Sequence, residues 1–273
     1  MILVAGGTGT LGAALVARLV ERNLPVRVLT RTAAEVPQGV EAMVGDIRSA
    51  PDVAEAVRGT RTVVSAVTGF GPVRGQTARS VDLEGNGTLF AAAHEAGVAH
   101  VVLLSVHGAA PDHPIELYRM KHAAEQELRA SGIAWTFVRP TAYLETWTMV
   151  LCEPLVQNGK TQVFGRGQNP INFVSVQDVA RVVERAVVDP AMRGQAIEVA
   201  GPENITMNEL VERYQRETGV SGTVKHVPRP AMLVASVALR LFNPAMAELI
   251  AAALVMDTRD MTAAASLGED RRA

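Results

Sequence analysis

The chain has 273 residues, 26 basic against 28 acidic side chains, a formal charge of −2 and 48% hydrophobic residues. That apolar content supplies a sizeable core and excludes a disordered chain, and the length allows one large domain or a core carrying a smaller lobe. Lys and Arg are scattered rather than clustered, so no phosphate-backbone track and no nucleic-acid partner is expected.

One cysteine, Cys152, rules out an internal disulfide. Among apolar neighbours it reads as a small buried residue in a reducing compartment, not a nucleophile. The first strand starts at Met1, so no signal or transit peptide is expected. The most apolar region, Ala231 to Met256, is broken by Arg240, Asn243, Pro244 and Glu248. No run there reaches the ~18–20 residues of a spanning helix. A cytoplasmic protein without a membrane span is expected.

Met1 to Ala5 reads as a buried parallel strand, and Leu11, Leu15, Leu19 and Val20 follow at helical spacing. Between them, glycines 7, 9 and 12 satisfy G-x-G-x-x-G, and glycines 6, 9 and 12 the wider G-x-x-G-x-x-G. Such spacing serves a tight turn, a pyrophosphate resting on bare backbone and close helix packing. The amides opening the helix then face an anion at its positive end.

Pro25 to Thr30 is the second strand. NAD-preferring sites place an acid about 20 residues past the glycine loop, for the ribose 2′-hydroxyl. Thr30-Arg31-Thr32 stands here instead, and a guanidinium pairs with a 2′-phosphate, which points to NADP over NAD. Val40 to Val44 is a third strand ending at Gly45-Asp46. Asp46 could accept from the adenine amino group or cap the helix starting near Pro51, a task that Ser49 or Asp52 suits better. Thr62 to Val67 is the fourth strand, and the loop Thr68 to Gly75 could fold over a ligand.

Residues 76 to 96 read as one long helix stopped by Gly97, and Val101 to Ser105 as the fifth strand. This alternation predicts a Rossmann-type, doubly wound parallel α/β sheet with ligands outside its carboxyl ends, which places Ser105 and His107 at the site. A helix from Ile115 to Ala130 and a strand from Ala134 to Val138 follow. Beyond them come a short helix around Ala142 to Val150, a turn at Asn158-Gly159, a polar loop from Gly165 to Pro170 and an amphipathic helix within Val174 to Val188. Residues 1–145 are expected to form the dinucleotide-binding core, and residues 146–273 a small, mostly helical substrate lobe. A late strand at 195–199 rejoins the sheet in this reading. The apolar helices from Pro230 should cover the substrate cavity or make a homo-oligomer contact.

These residues together resemble the atypical short-chain dehydrogenases, especially their NmrA-like and isoflavone-reductase-like branch. The likeness rests on Gly6-Gly-Thr-Gly-Thr-Leu-Gly12, Thr30-Arg31, Gly45-Asp46, Leu104-Ser105 and Lys121-His-Ala-Ala-Glu125. It continues through Ser131-Gly132, Trp135-Thr-Phe-Val-Arg-Pro140 and Asn172-Phe-Val-Ser-Val-Gln-Asp-Val-Ala180. It implies an NADP-bound core that transfers hydride to a carbonyl or activated double bond of a small, largely apolar molecule. It also implies a cofactor set of Gly6, Thr8, Gly9, Thr10, Leu11, Gly12, Arg31, Asp46, Ile47, Ala66, Val67, Ser105, Lys121, Pro140 and Tyr143. The lysine matching Lys121 contacts the nicotinamide ribose and helps proton transfer in the family, while some relatives bind dinucleotide only as sensors or assembly subunits.

Ordinary short-chain dehydrogenases pair a tyrosine with a lysine four residues later, on one helix face. Leu117 occupies that slot before Lys121, and Tyr118 is rotated by ~100° from it. Reading His122 in the lysine slot would restore Tyr118 and lose the lysine; Ala123-Ala-Glu125 and Ser131-Gly132 favour the first register. The catalytic candidates are Lys121, Ser105 and His107 as an alternative proton donor, with Tyr118 and Tyr143 weaker alternates. No His spacing suggests a metal, and no G-x-S-x-G elbow suggests a hydrolase. An epimerase would want the missing Tyr/Lys pair. An NADPH-dependent reductase is the first reading; a catalytically silent NADP-binding sensor or assembly protein is the second.

Overall fold

The computed structural model describes residues 1–32, 36–71 and 75–266. In chain order its first half runs β1 (Ile2–Ala5), α1 (Thr10–Glu21), β2 (Val26–Thr30), β3 (Glu41–Val44), α2 (Ala50–Val57) and β4 (Thr62–Ser65). A π-helical stretch (Arg79–Gly85), α3 (Asn86–Glu95), β5 (His100–Leu104), α4 (Glu116–Ala130) and β6 (Ala134–Pro140) follow. The second half holds β7 (Ala142–Tyr143), α5 (Leu144–Asn158), β8 (Lys160–Phe164), β9 (Ile171–Val174), α6 (Val176–Val188) and β10 (Ala196–Val199). It ends with β11 (Asn204–Ile205), α7 (Met207–Thr218), β12 (Thr223–Val227), α8 (Arg229–Ala238) and α9 (Pro244–Met256).

Seven strands form one sheet in the order β10-β6-β5-β4-β1-β2-β3. The pairings from β3 through β6 are parallel. β1, β4 and β5 are buried along their whole length, as strands covered on both faces must be. The strand order reverses between β1 and β4, so the crevice at their carboxyl ends is the switch point of a doubly wound fold.

The chain divides into two compact units, Met1–Pro140 with Val176–Glu198, and Thr141–Ser175 with the residues from Val199 onward. In the first, Leu3, Leu29, Leu89, Leu103, Leu128 and Phe137 pack on one side of the sheet. Arg18 and Arg22 of α1 both pair with Glu184 of α6, which is 2% exposed. In the second, Leu151, Leu155, Phe173, Met207 and Leu210 form a separate core. Asn172 organises that core's polar interior: its Oδ1 accepts from Thr141 Oγ1 at 2.9 Å and from Gly201 N at 2.7 Å. Leu233, Val234, Val237, Leu241 and Phe242, in and just after α8, are exposed.

Two elements depart from the sequence expectation. The single helix over 76–96 is instead a π-helical stretch leading into α3, because the buried Asn86 amide donates to the Asp82 carbonyl at 2.8 Å and widens the turn. The short helix at 142–150 is instead the strand β7 followed by α5, which runs through Pro154 to Asn158. One missing N–H there is outweighed by burial of Leu151, Cys152 and Leu155, and Gly159, at φ 64°, ends the helix. Burial raises the Cys152 thiol to about 11, so it is protonated and unreactive at neutral pH.

His100 of β5 is 1% exposed, with Nε2 2.9 Å from Thr136 Oγ1. That hydroxyl donates to the Met192 carbonyl, so it accepts from His100 Nε2–H, and Nδ1 is left buried with no partner among the described residues. Desolvation first, then the charge of Arg193, lowers the imidazole from 6.5 to about 4. The unfolded chain therefore binds a proton that the folded chain refuses between those values. Stability should be full above pH 6.5 and fall by roughly 3 kcal/mol as pH drops to 4, a loss that His100→Gln removes in urea titrations across that range.

Candidate functional site

The glycine loop joins β1 to α1 at the switch point. Gly6 has φ +80°, and a Cβ there would stand 2.9 Å from the Ala66 carbonyl oxygen beyond β4. At Gly12 a Cβ would stand 2.1 Å from the Gly6 carbonyl oxygen, so the first turn of α1 can sit against the loop only without a side chain. Gly9 caps the helix, and neither a capping side chain nor an acid in the first turn satisfies its amides among the described residues. Thr8, Gly9 and Thr10 are exposed, while Leu11 is buried and anchors the helix. The Thr8 hydroxyl is 3.2 Å from that of Thr30 at the end of β2. An uncapped helix start behind a bare backbone cradle fits a pyrophosphate.

Beside it, Arg31 is exposed just past β2. Asp46 is held by Arg48, whose Nε and Nη2 donate to it at 2.9 and 2.6 Å. That hydrogen bonding, against partial desolvation and with help from the charge of Arg31, keeps the Asp46 carboxyl below its usual range. The Asp46 carboxylate accepts from Arg48 and does not cap α2, whose N-cap position is Ser49; the Asp46 amide donates to Asp52 at 2.9 Å, and Ile47 is buried.

At the next strand ends, Lys121 of α4 is 4% exposed. Its ammonium donates to the carbonyls of Leu104 at 2.7 Å and Val67 at 3.0 Å. The fully buried Asp82 carboxylate stands 2.9 Å away, a charge contact lying off the line of an aligned hydrogen bond. The other oxygen of Asp82 accepts from Gly69 N at 2.8 Å. Two of its three donors thus meet carbonyl acceptors, while Asp82 balances its charge. Ser105 is 6% exposed, and its hydroxyl has no partner among the described residues: a buried polar atom aimed at no protein group. Residues 72–74 of the loop considered as a cover lie outside the described residues.

Tyr118 is half-buried with its ring stacked on His113, centroids 4.0 Å apart. Desolvation raises its phenol to about 12, away from an acid useful near neutral pH. The Pro140 carbonyl accepts from His107 N at 2.9 Å, and His107 Nδ1 is 2.8 Å from Glu198. Tyr143 belongs to the second unit, where burial and then Glu145 raise its phenol. No cluster of three or more His, Cys, Asp or Glu among the described residues is arranged for a metal ion.

The glycine cradle, the lysine at the strand ends and the buried Ser105 lie on a chain whose residues 1–264 match the model of the NmrA-like family. The chain belongs to that family. This NmrA-like protein is 32% identical over 223 residues to NAD(P)H azoreductase of Xenophilus azovorans, covering 80% of its own length and 74% of the relative's. It is 27% identical over 232 residues to the photosystem II assembly factor Ycf39 of Synechocystis sp., covering 83% and 70% of the two chains. The triphenylmethane reductase of Citrobacter sp., solved with NADP(H), shares the fold at a TM-score of 0.77 and 20% identity, over 97% of this chain and 93% of that one. No helix among the described residues is long and apolar enough to cross a membrane.

In this NmrA-like chain no local sequence motif marks Asp82, Arg48 or Glu198. Glu125 and Arg139 lie inside the family-like motifs, and for Arg139 a charge within an otherwise apolar strand is the available signal. Lys121→Met would leave Asp82 buried and uncompensated. The variant should lose about 3–5 kcal/mol in denaturant titration at neutral pH, while Lys121→Arg loses less.

Proposed function

We propose that the protein is an NADPH-dependent reductase of a carbonyl, azo or other activated double bond in a small, largely apolar molecule. The observation that carries the reading is the cradle at Gly6 to Gly12, where a Cβ on Gly12 would meet the Gly6 carbonyl oxygen at 2.1 Å and the helix start has no capping acid among the described residues. In this reading the amides of Gly9, Thr10 and Leu11 hold the pyrophosphate, and exposed Arg31 takes the 2′-phosphate. Ala66 and Val67 floor the crevice, and the Ser105 hydroxyl offers its unused hydrogen bond to the nicotinamide end. The bound dinucleotide supplies the hydride. Lys121 keeps the β4 and β5 ends in register, and a proton comes from a group on the chain or from water. The azoreductase relative supports the reading.

A second reading, a dinucleotide-binding sensor or assembly protein without turnover, draws on the engaged Lys121 ammonium, the displaced Tyr118 and the assembly-factor relative. The deciding assay follows NADPH oxidation with azo dyes, quinones and enones, alongside fluorescence titration of NADPH and NADH. Turnover with at least one acceptor class is expected. Arg31→Ala should weaken NADPH binding about tenfold or more and leave NADH unchanged, since one charge-assisted pair contributes roughly 1.5–3 kcal/mol. Tight NADPH binding with no turnover on any class would establish the second reading.

A further inference from the structure

A continuous row of charged side chains crosses the first unit and ends on His107. It starts at Glu125, which is 0% exposed and lies on α4 one turn past Lys121. Both oxygens of Glu125 grip Arg139 of β6, at 2.9 Å to Nε and 2.5 Å to Nη2. The remaining arm of Arg139, Nη1, donates to Glu198 Oε1 of β10 at 3.1 Å. Glu198 Oε2 stands 2.8 Å from His107 Nδ1. The backbone of His107 is pinned as well, by its N–H to the Pro140 carbonyl.

An exposed carboxylate beside a histidine would carry little weight, since surface pairs contribute little and move freely. Here the buried end changes that. Glu125 cannot leave Arg139 without stranding a charge in the core, so the guanidinium plane is fixed and fixes one oxygen of Glu198 in turn. The other oxygen is thereby aimed at Nδ1. Desolvation works against ionising Glu198, but hydrogen bonds from His107 and Arg139 outweigh it and hold the carboxyl low, so it is an acceptor. A carboxylate acceptor at Nδ1 requires N–H there and turns Nε2 the opposite way. Through this row the ring faces Glu198 and Arg139, with Glu125 behind, so the proton free to be passed on is the one carried by Nε2. His107 itself follows Ser105 by two residues, off the carboxyl end of β5.

We propose that Glu198, held by Arg139 and Glu125, is the positioning residue that makes His107 the proton donor of the reduction. This rests on the reductase reading above. As hydride adds to one atom of the substrate double bond, the π electrons move to the other atom. That atom takes the proton from His107 Nε2. The imidazole left behind is neutral and regains a proton from water, and the substrate has gained two hydrogens.

The test combines kinetics with a titration that needs no turnover. In Glu198→Gln, whose fold is checked by thermal melting, kcat should fall ten- to hundredfold with NADPH affinity unchanged, and Glu198→Asp should recover part of it. His107→Asn should lose a similar factor, and the double variant no more than the larger single loss. In the free protein, the NMR titration midpoint of the His107 ring should drop by about one unit or more in Glu198→Gln. An active wild type with an unchanged rate and ring midpoint in Glu198→Gln overturns the proposal and leaves the reductase reading standing. Absence of turnover in the wild type on every acceptor class overturns both.

Discussion

The Lys121 ammonium is the tie on which the crevice depends. It sits where β4 and β5 end, at the place where parallel strands leave carbonyls pointing out with no further partner. By donating to Leu104, the last residue of β5, and to Val67, two residues past β4, it joins the two strand ends, and by facing Asp82 it draws the segment that leads into α3 onto the same point. Asp82 passes the constraint on to Gly69 and so to the start of the next loop. A buried ion pair of this kind contributes little net stability compared with an apolar substitute, yet it admits only one geometry. The strand ends are thereby fixed to within a hydrogen bond's tolerance before any ligand arrives.

Around that tie the glycine loop is shaped by exclusion. The absence of a Cβ at Gly12 lets the helix start touch the loop, and the positive φ of Gly6 turns the chain off the strand. Both features clear space for backbone amides rather than supplying a chemical group. The strand-end side of the crevice is built the opposite way, from side chains whose partners come from distant positions. Arg139 joins residues 125 and 198, and Lys121 joins residues 67, 82 and 104. The glycine-loop end is local in sequence, whereas the strand-end network is assembled from the whole first unit.

The second unit follows the same economy of polar anchors. Asn172 ties β9 to Thr141 and Gly201, and Gly201 has no room for a Cβ, which would stand 1.8 Å from the Phe173 carbonyl oxygen. Asp257, 3% exposed, gathers the amides of Arg166 and Gly167 and the guanidinium of Arg229. Such buried, fully engaged side chains fix a unique arrangement in a unit with only short strands.

The sequence by itself determined the doubly wound sheet, the glycine loop, the placement of Ser105 and the family, because these rest on local patterns: strand-to-helix alternation, glycine spacing and short motifs. It also marked Lys121 as important. It did not foretell the π-helical stretch, since that depends on where the Asn86 amide points, nor the length of α5, since burial outweighs its proline only once a core exists. Only the tertiary structure decided what Lys121 touches, that Tyr118 stacks on His113, and that His107 faces a carboxylate 91 residues later in the chain. The physical reason is the same in each case. Hydrogen bonds and charges act over a few ångströms of space, and the residues they join are set by how strands are ordered in the sheet, not by their spacing along the chain.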